Sequence, residues 1–330
     1  MPTETLQDVV QAALGSPYEI ERELPRGGMS RVFVATEIAL RRRVVIKVLS
    51  PELAATLSAE RFKREITWAA RLQHPNIVPL LSAGHAGPHL YYTMPLVDGE
   101  SLRERINRER PMAFASICRI LEEVARALAY AHDEGVVHRD IKPENVMFFR
   151  EQAVVLDFGI GKALLSAASS ETEVLRITQS GMSLGTPTYV APEQARGDPS
   201  LDHRADLYAL GVVAYEMITG HPPFTGKTPL AVFEGHASRK PERIEVRRPD
   251  VPKHLAAIVM RCLEKRPEDR PASGREIVLA LTAPGGDPRR RSGGAVGMLS
   301  RVPLWMPWAL AAVSTTAAVI LAVLYATRAH

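Results

Sequence analysis

Asp140, Lys142 and Asn145 bring a carboxylate, an ammonium and an amide into one short run, Val137-His138-Arg139-Asp140-Ile141-Lys142-Pro143-Glu144-Asn145-Val146-Met147. A carboxylate so placed can orient a hydroxyl nucleophile and accept its proton. The ammonium can stand beside a phosphoryl group, and the amide oxygen suits a hard metal ion. Pro143 sits where a helix could not easily continue, so the polar group belongs to a loop. Three further positions carry chemistry. Lys47 lies in the β-branched run Val44-Val45-Ile46-Lys47-Val48-Leu49, where a buried ammonium needs a carboxylate or phosphate partner, unless the strand is an edge and the lysine reaches water. Asp157 closes the apolar run Ala153-Val154-Val155-Leu156 and precedes Phe158-Gly159; it either presents its carboxylate to a metal or simply forms a turn. Gly27 and Gly28, in Pro25-Arg26-Gly27-Gly28-Met29-Ser30, either make a plain hairpin turn or let backbone N–H groups approach phosphate oxygens that a Cβ would obstruct.

The elements that must position these groups follow from periodicity. Tyr18–Leu24, Val32–Ala35 and Val44–Leu49 read as strands around that Gly-rich turn. A helix is expected over Ser58–Leu72, with Phe62, Ile66 and Ala69 on one face and Glu65 beside it, either exposed or reaching inward to Lys47. His74–Leu80 is expected to end that helix and begin a second strand pair, which runs through Leu90–Met94. After the short connector Pro95–Gly99 the pattern turns helical: Ser101–Arg108, then Phe114–His132 with apolar Ile117, Ile120, Leu121, Val124, Leu128 and Ala131. Asp206–Thr219 is apolar nearly all round, as a buried central helix would be, and Gly220 stops it. Helices are also expected at Leu230–His236, Leu255–Glu264 and Gly274–Leu281. A small strand-rich unit joined by a short connector to a larger helical one predicts an α+β chain with a cleft between two lobes.

Composition narrows the alternatives. The 330 residues are 46% hydrophobic and 24% charged, values of an ordinary globular chain. The net charge of +4 is not gathered into a long run, so composition gives no nucleic-acid interface. Cys118 and Cys262 both fall in apolar helical segments and read as buried thiols of a reducing compartment, not a disulfide or metal site. Residues 1–17 lack a basic start followed by an apolar run and are read as an N-terminal extension, not a signal peptide. Pro284–Ser300 is a Gly-, Pro- and Arg-rich linker. Val302–Thr327 carries no charged residue, a run longer than the ~20 residues that cross a bilayer as a helix. Trp305 and Trp308 stand near one end and Tyr325 near the other, as interface aromatics do. Arg289-Arg290-Arg291 and Arg301 precede the run while Arg328 alone follows it, so the reading is a single-pass tail anchor at 303–326 in the cell membrane. The N-terminal bulk is expected in the cytoplasm, with the short tail 327–330 outside and no sensor domain there.

Taken together, the run from Tyr18 to about Leu281 resembles a complete protein kinase domain of the bacterial Hanks type, in its serine/threonine form. Its own His138-Arg139-Asp140-Ile141 matches the family's H-R-D-L, with Asn145 at the family's asparagine and Asp157-Phe158-Gly159 at its D-F-G. The resemblance implies a two-lobed kinase fold over 18–282, divided at 96/97, followed by a juxtamembrane linker at 283–302. It implies ATP and Mg²⁺ as cofactors, protein serine and threonine hydroxyls as acceptors, and the activity of a non-specific serine/threonine protein kinase. Residue by residue, Pro25, Arg26, Gly27, Gly28 and Val32 would cover the nucleotide, and Lys47 would hold its phosphates while pairing with Glu65. Asp140 would serve the substrate hydroxyl, Lys142 the transferred phosphoryl group, and Asn145 and Asp157 the Mg²⁺. Met94 resembles the gatekeeper and Val97 the connector residue that faces adenine. Glu193 would pair with Arg270, Asp206 would brace the catalytic loop, and Thr186 would belong to the substrate-docking segment Gly185–Glu193.

The family's Gly-rich loop reads G-x-G-x-x-G, and here Pro25 and Ser30 occupy the first and third glycine positions. Pro25 removes an N–H and stiffens the turn, which predicts weaker nucleotide binding. Ser166–Ser183 is small, polar and without period, and reads as a flexible segment. Within it Thr178 and Ser180 are the expected autophosphorylation sites, where phosphate would pair with Arg139 and order the segment. A homodimer formed through the smaller lobe would allow that reaction in trans. The alternative is a pseudokinase, an ATP-binding scaffold that kept the fold and lost turnover.

Overall fold

Alternation along one strand explains how the smaller lobe is layered. The computed structural model describes residues 5–24, 30–49, 59–87, 89–158, 187–198 and 201–282. Strands β1 (Tyr18–Glu23), β2 (Ser30–Glu37), β3 (Arg42–Leu49), β4 (Ser82–Ala86) and β5 (His89–Pro95) form a five-stranded antiparallel sheet in the order β1-β2-β3-β5-β4. Side chains of β3 alternate between its faces. Val44, Ile46 and Val48 pack with Phe33, Ala35 and Ala86 against Val10 and Leu14 of helix α1 (Leu6–Leu14). Val45 and Leu49 pack with Tyr92 and Met94 against Phe62 and Ile66 of helix α2 (Ala59–Ala69). Lys47 shares the α2 face by its position in the alternation. The strand is therefore buried on both faces, which is why it reads as an unbroken apolar run.

Helix α1 lies within residues 1–17, read from the sequence as an extension with no element assigned. Thr5 and Asp8 close a capping box that satisfies orphan N–H groups at its start. Gln11 then clasps the first strand: its Nε2 donates to Tyr18 O at 2.7 Å, and its Oε1 accepts from Ile20 N at 2.9 Å. The expected strand at His74–Leu80 is corrected, since β4 begins only at Ser82. Pro75 and Pro79 cannot donate to a ladder, and the segment pairs elsewhere. Val78 N donates to Val155 O (3.0 Å) and Val155 N to Asn76 O (2.9 Å), tying the α2–β4 connection to the larger lobe.

That lobe comprises α3 (Leu102–Arg108), α4 (Phe114–Asp133), the hairpin β6–β7 (Val146–Phe149 and Gln152–Val155), a single turn α5 (Pro192–Ala195), α6 (Arg204–Thr219), α7 (Pro229–Ser238), a single turn α8 (Ile244–Arg247), α9 (Lys253–Cys262) and α10 (Gly274–Thr282). Helix α6 is buried continuously from Ala205 to Ile218, as its all-round apolar sequence requires. The apolar stripe of α4 (Ile117, Ile120, Leu121, Val124, Leu128) joins the same core. Strand β6 and the turns α5 and α8 were not foreseen. The connector from β5 passes so close to β6 that a Cβ on Gly99 would stand 2.0 Å from Phe148 O. Phe148 N donates there to Glu100 O at 2.9 Å. Among the described residues no helix is long and apolar enough to cross a membrane; the expected span at Val302–Thr327 lies outside them.

Candidate active site

The loop between α4 and β6 is built on two buried side chains. Asp206, 1% exposed in the first turn of α6, accepts from Arg139 N (2.7 Å) through Oδ1, and from His138 N and His132 Nε2 (2.8 Å each) through Oδ2. Burial pushes its carboxyl up, but the hydrogen bond and charge of His132, with the backbone N–H of Arg139, more than offset that, so it stays below the usual range. Arg139 itself has φ +69°, a left-handed conformation that these bonds hold in place. His138 is completely buried; its Nε2 donates to Leu156 O at 2.7 Å, so Nδ1 is the acceptor for Asp140 N–H at 3.1 Å. Its ring edge meets Phe158 at 4.7 Å between centroids.

On that frame the polar groups converge. Asp140 is exposed; its Oδ2 accepts from Lys142 Nζ at 2.7 Å and from Asn145 Nδ2 at 3.0 Å. Asn145 Nδ2 also donates to Asp140 O (2.7 Å), which turns the amide oxygen to the opposite side. The Asn145 carbonyl accepts from Leu156 N at 2.9 Å, so the residue before Asp157 is tied to the catalytic loop. Asp157, at φ +63°, is held by two groups of the smaller lobe. Its Oδ2 accepts from Lys47 Nζ and its Oδ1 from the Tyr92 hydroxyl at 2.9 Å. Burial raises the Asp157 carboxyl, yet Lys47 and Tyr92 together hold it below its ordinary value. Burial and the adjoining carboxylate push the Tyr92 phenol far up, so it is a donor at any working pH.

The structure thus brings Asp140, Lys142 and Asn145 into one group and Lys47 and Asp157 into another, joined through Asn145 and Leu156. Val32 lies opposite Lys47 in the β2–β3 ladder, Met94 is buried opposite Val45, and Val97 follows β5 half-buried. Glu65 falls within α2, but its side chain is outside the described residues, as are Pro25, Arg26, Gly27, Gly28, Thr178, Ser180 and Thr186. Farther out, Arg270 (1% exposed) and Glu193 form a bidentate pair at 2.7 Å on both arms, and Arg270 also donates to the carbonyls of Glu264, Arg204 and Lys265. Sequence reasoning missed the parts played by Tyr92, His132 and His138. It also missed Arg103, which bonds Glu144 (2.9 Å), Glu216 (2.7 Å) and the Tyr189 hydroxyl. For His138 the signal was available, since it stands inside the loop run; Tyr92 gave none, because its role depends on its register opposite Lys47.

The amide oxygen of Asn145 and the carboxylate of Asp157 are hard oxygen donors of the kind Mg²⁺ takes, and the backbone bond from Leu156 to Asn145 ties together the two segments that carry them. A small antiparallel lobe supplies a lysine, and a larger helical lobe supplies a carboxylate, an amide and a second carboxylate, the two-lobed arrangement that the sequence pattern predicts. Residues 18–279 match the protein kinase domain family, and the chain belongs to it. Members of this family use ATP with Mg²⁺. The chain is 40% identical over 270 residues to serine/threonine-protein kinase PknB of Mycobacterium tuberculosis, an alignment covering 80% of this chain and 42% of the relative. It is 36% identical over 318 residues to serine/threonine-protein kinase pkn3 of Myxococcus xanthus, covering 92% of this chain and 57% of pkn3. It is 38% identical over 277 residues to pkn2 of the same organism, where the shares are 82% and 32%. The chain therefore spans about two-fifths of the length of the mycobacterial relatives it matches.

Proposed function

We propose that this chain transfers the γ-phosphoryl group of ATP to serine and threonine hydroxyls of proteins. The observation that carries the reading is the Asp140–Lys142–Asn145 group, bonded within itself and exposed at one edge to an incoming hydroxyl. Asp140 orients the hydroxyl and accepts its proton, and Lys142, at 2.7 Å from that carboxylate, balances charge on the transferred group. Lys47 leaves Asp157 to hold the nucleotide phosphates. Asn145 and Asp157 would hold Mg²⁺, which would supply neutralisation of charge on the phosphoryl oxygens. Positioning and electrostatics carry the reaction, with no covalent step on the protein.

Three finer parts belong to the same reading. The uncharged run at Val302–Thr327, preceded by arginines, supports a single-pass membrane tether with the kinase domain on the cytoplasmic side. Thr178 and Ser180 are acceptors for autophosphorylation in trans within a homodimer formed through the smaller lobe, and Arg139 receives the phosphate. Substrates are proteins, not nucleic acids.

The test is a phosphotransfer assay on the full chain with labelled ATP and Mg²⁺, beside Asp140→Asn. Wild type should incorporate label, and the variant should lose roughly 10²–10⁴-fold in rate. A wild type that binds ATP yet incorporates no label, even after phosphorylation by an active relative, would establish the scaffold reading instead.

A further inference from the structure

Tyr92 lies directly opposite Lys47 in the β3–β5 ladder, so the two side chains leave the same face of the sheet. They reach the two oxygens of one carboxylate: Lys47 takes Oδ2 of Asp157 and Tyr92 takes Oδ1, the latter at 2.9 Å. Tyr92 is 3% exposed within the apolar cluster of Val45, Leu49, Phe62, Ile66, Leu90 and Met94. Phenylalanine would fill that volume as well, and a phenol hydroxyl buried there must find an acceptor. The acceptor it has is the residue expected to bind the metal.

We propose that Tyr92 is a positioning residue for Asp157, holding Oδ1 and so fixing the orientation of the carboxylate that would bind Mg²⁺ when Lys47 turns to the nucleotide phosphates. The inference rests on the kinase reading above and adds a residue to it. Lys47 is the exchangeable partner, because the nucleotide competes for its charge. Tyr92 carries no charge for the phosphates to attract and stays. The carboxylate, at φ +63° on a turn, would otherwise rotate about its side-chain bonds as soon as the lysine left. A hydrogen bond behind a metal ligand acts in this way, by fixing ligand orientation before the ion arrives.

Tyr92→Phe removes the hydroxyl and keeps the ring. Titration calorimetry of the full chain with ADP, once with Mg²⁺ and once with EDTA, separates metal-dependent from metal-independent affinity. The variant should bind ADP as wild type does in EDTA, which also reports an intact cleft, and roughly tenfold more weakly in Mg²⁺. In an Asp157→Asn background the same change should add nothing further, since the hydroxyl acts through that carboxylate. Equal weakening with and without Mg²⁺, or no weakening in either, would overturn the inference and leave the kinase reading standing. A wild type that binds no ADP under either condition would overturn both.

Discussion

The two lobes hold their polar groups by opposite means. In the larger lobe the key side chains are satisfied by partners that never need to let go. Asp206 holds two backbone N–H groups and His132, and Arg270 is locked on Glu193 and three carbonyls. In the smaller lobe Lys47 is bonded to Asp157, a residue of the larger lobe, and the proposed reaction exchanges that bond for one to the nucleotide phosphates. The larger lobe is a fixed frame, while the smaller lobe's charge waits for its ligand. The contrast follows from burial. Asp206 and Arg270 are each 1% exposed, whereas the Lys47 side chain keeps 16% of its surface in water.

The hardest test of the frame is Arg270→Ala, which leaves the Glu193 carboxylate buried without its partner. Breaking such a pair should cost roughly 3–5 kcal/mol in denaturant unfolding. A cost under about 1 kcal/mol would abolish the contrast between the lobes.

A second test uses pH. His236 is fully buried between Tyr208 and Phe224, and burial lowers its imidazole to about 4 from an ordinary value of 6.5, helped by the Lys265 charge. In that window the unfolded chain binds the proton and the folded chain does not. Stability is therefore complete above pH 6.5 and falls as pH drops toward 4, by on the order of 3 kcal/mol. Unfolding curves of His236→Gln should lack that part of the pH slope.

The smallest expected effect falls in the smaller lobe. Val10→Ala opens the contact between α1 and the outer sheet face, at about 2 kcal/mol. Hydrogen exchange should show the loss confined to α1 and β1–β3, with the larger lobe unchanged. A uniform loss over both lobes would mean that the frame is shared.

Much of the site was legible because its residues clash with their local patterns. A cation inside a β-branched run and a carboxylate at the end of an apolar one both demand explanation. Strands β1–β3 and β5, the longer helices and the buried nature of α6 followed from periodicity. Tyr92 did not show itself, because tyrosine in a strand is what core packing also wants; its meaning depends on cross-strand register to Lys47. Helix α1 was missed for a related reason. Leu6, Val10 and Leu14 do form a stripe, but so short a helix is marginal until the sheet it covers is known. The single turns α5 and α8 carry too few residues for any period to emerge. The pairing of Asn76–Val78 with β7 was invisible because it joins segments far apart in sequence.

Helix α6 lies so close to α9 that a Cβ on Gly211 would come within 2.5 Å of the Cys262 Cβ. That contact seals the thiol, and burial pushes it up to about 12. At neutral pH almost none of it is thiolate, the only form that attacks disulfides or is readily oxidised. The close approach that the glycine allows thus accompanies a thiol that is 3% exposed and protonated at neutral pH, the form least reactive toward oxidants.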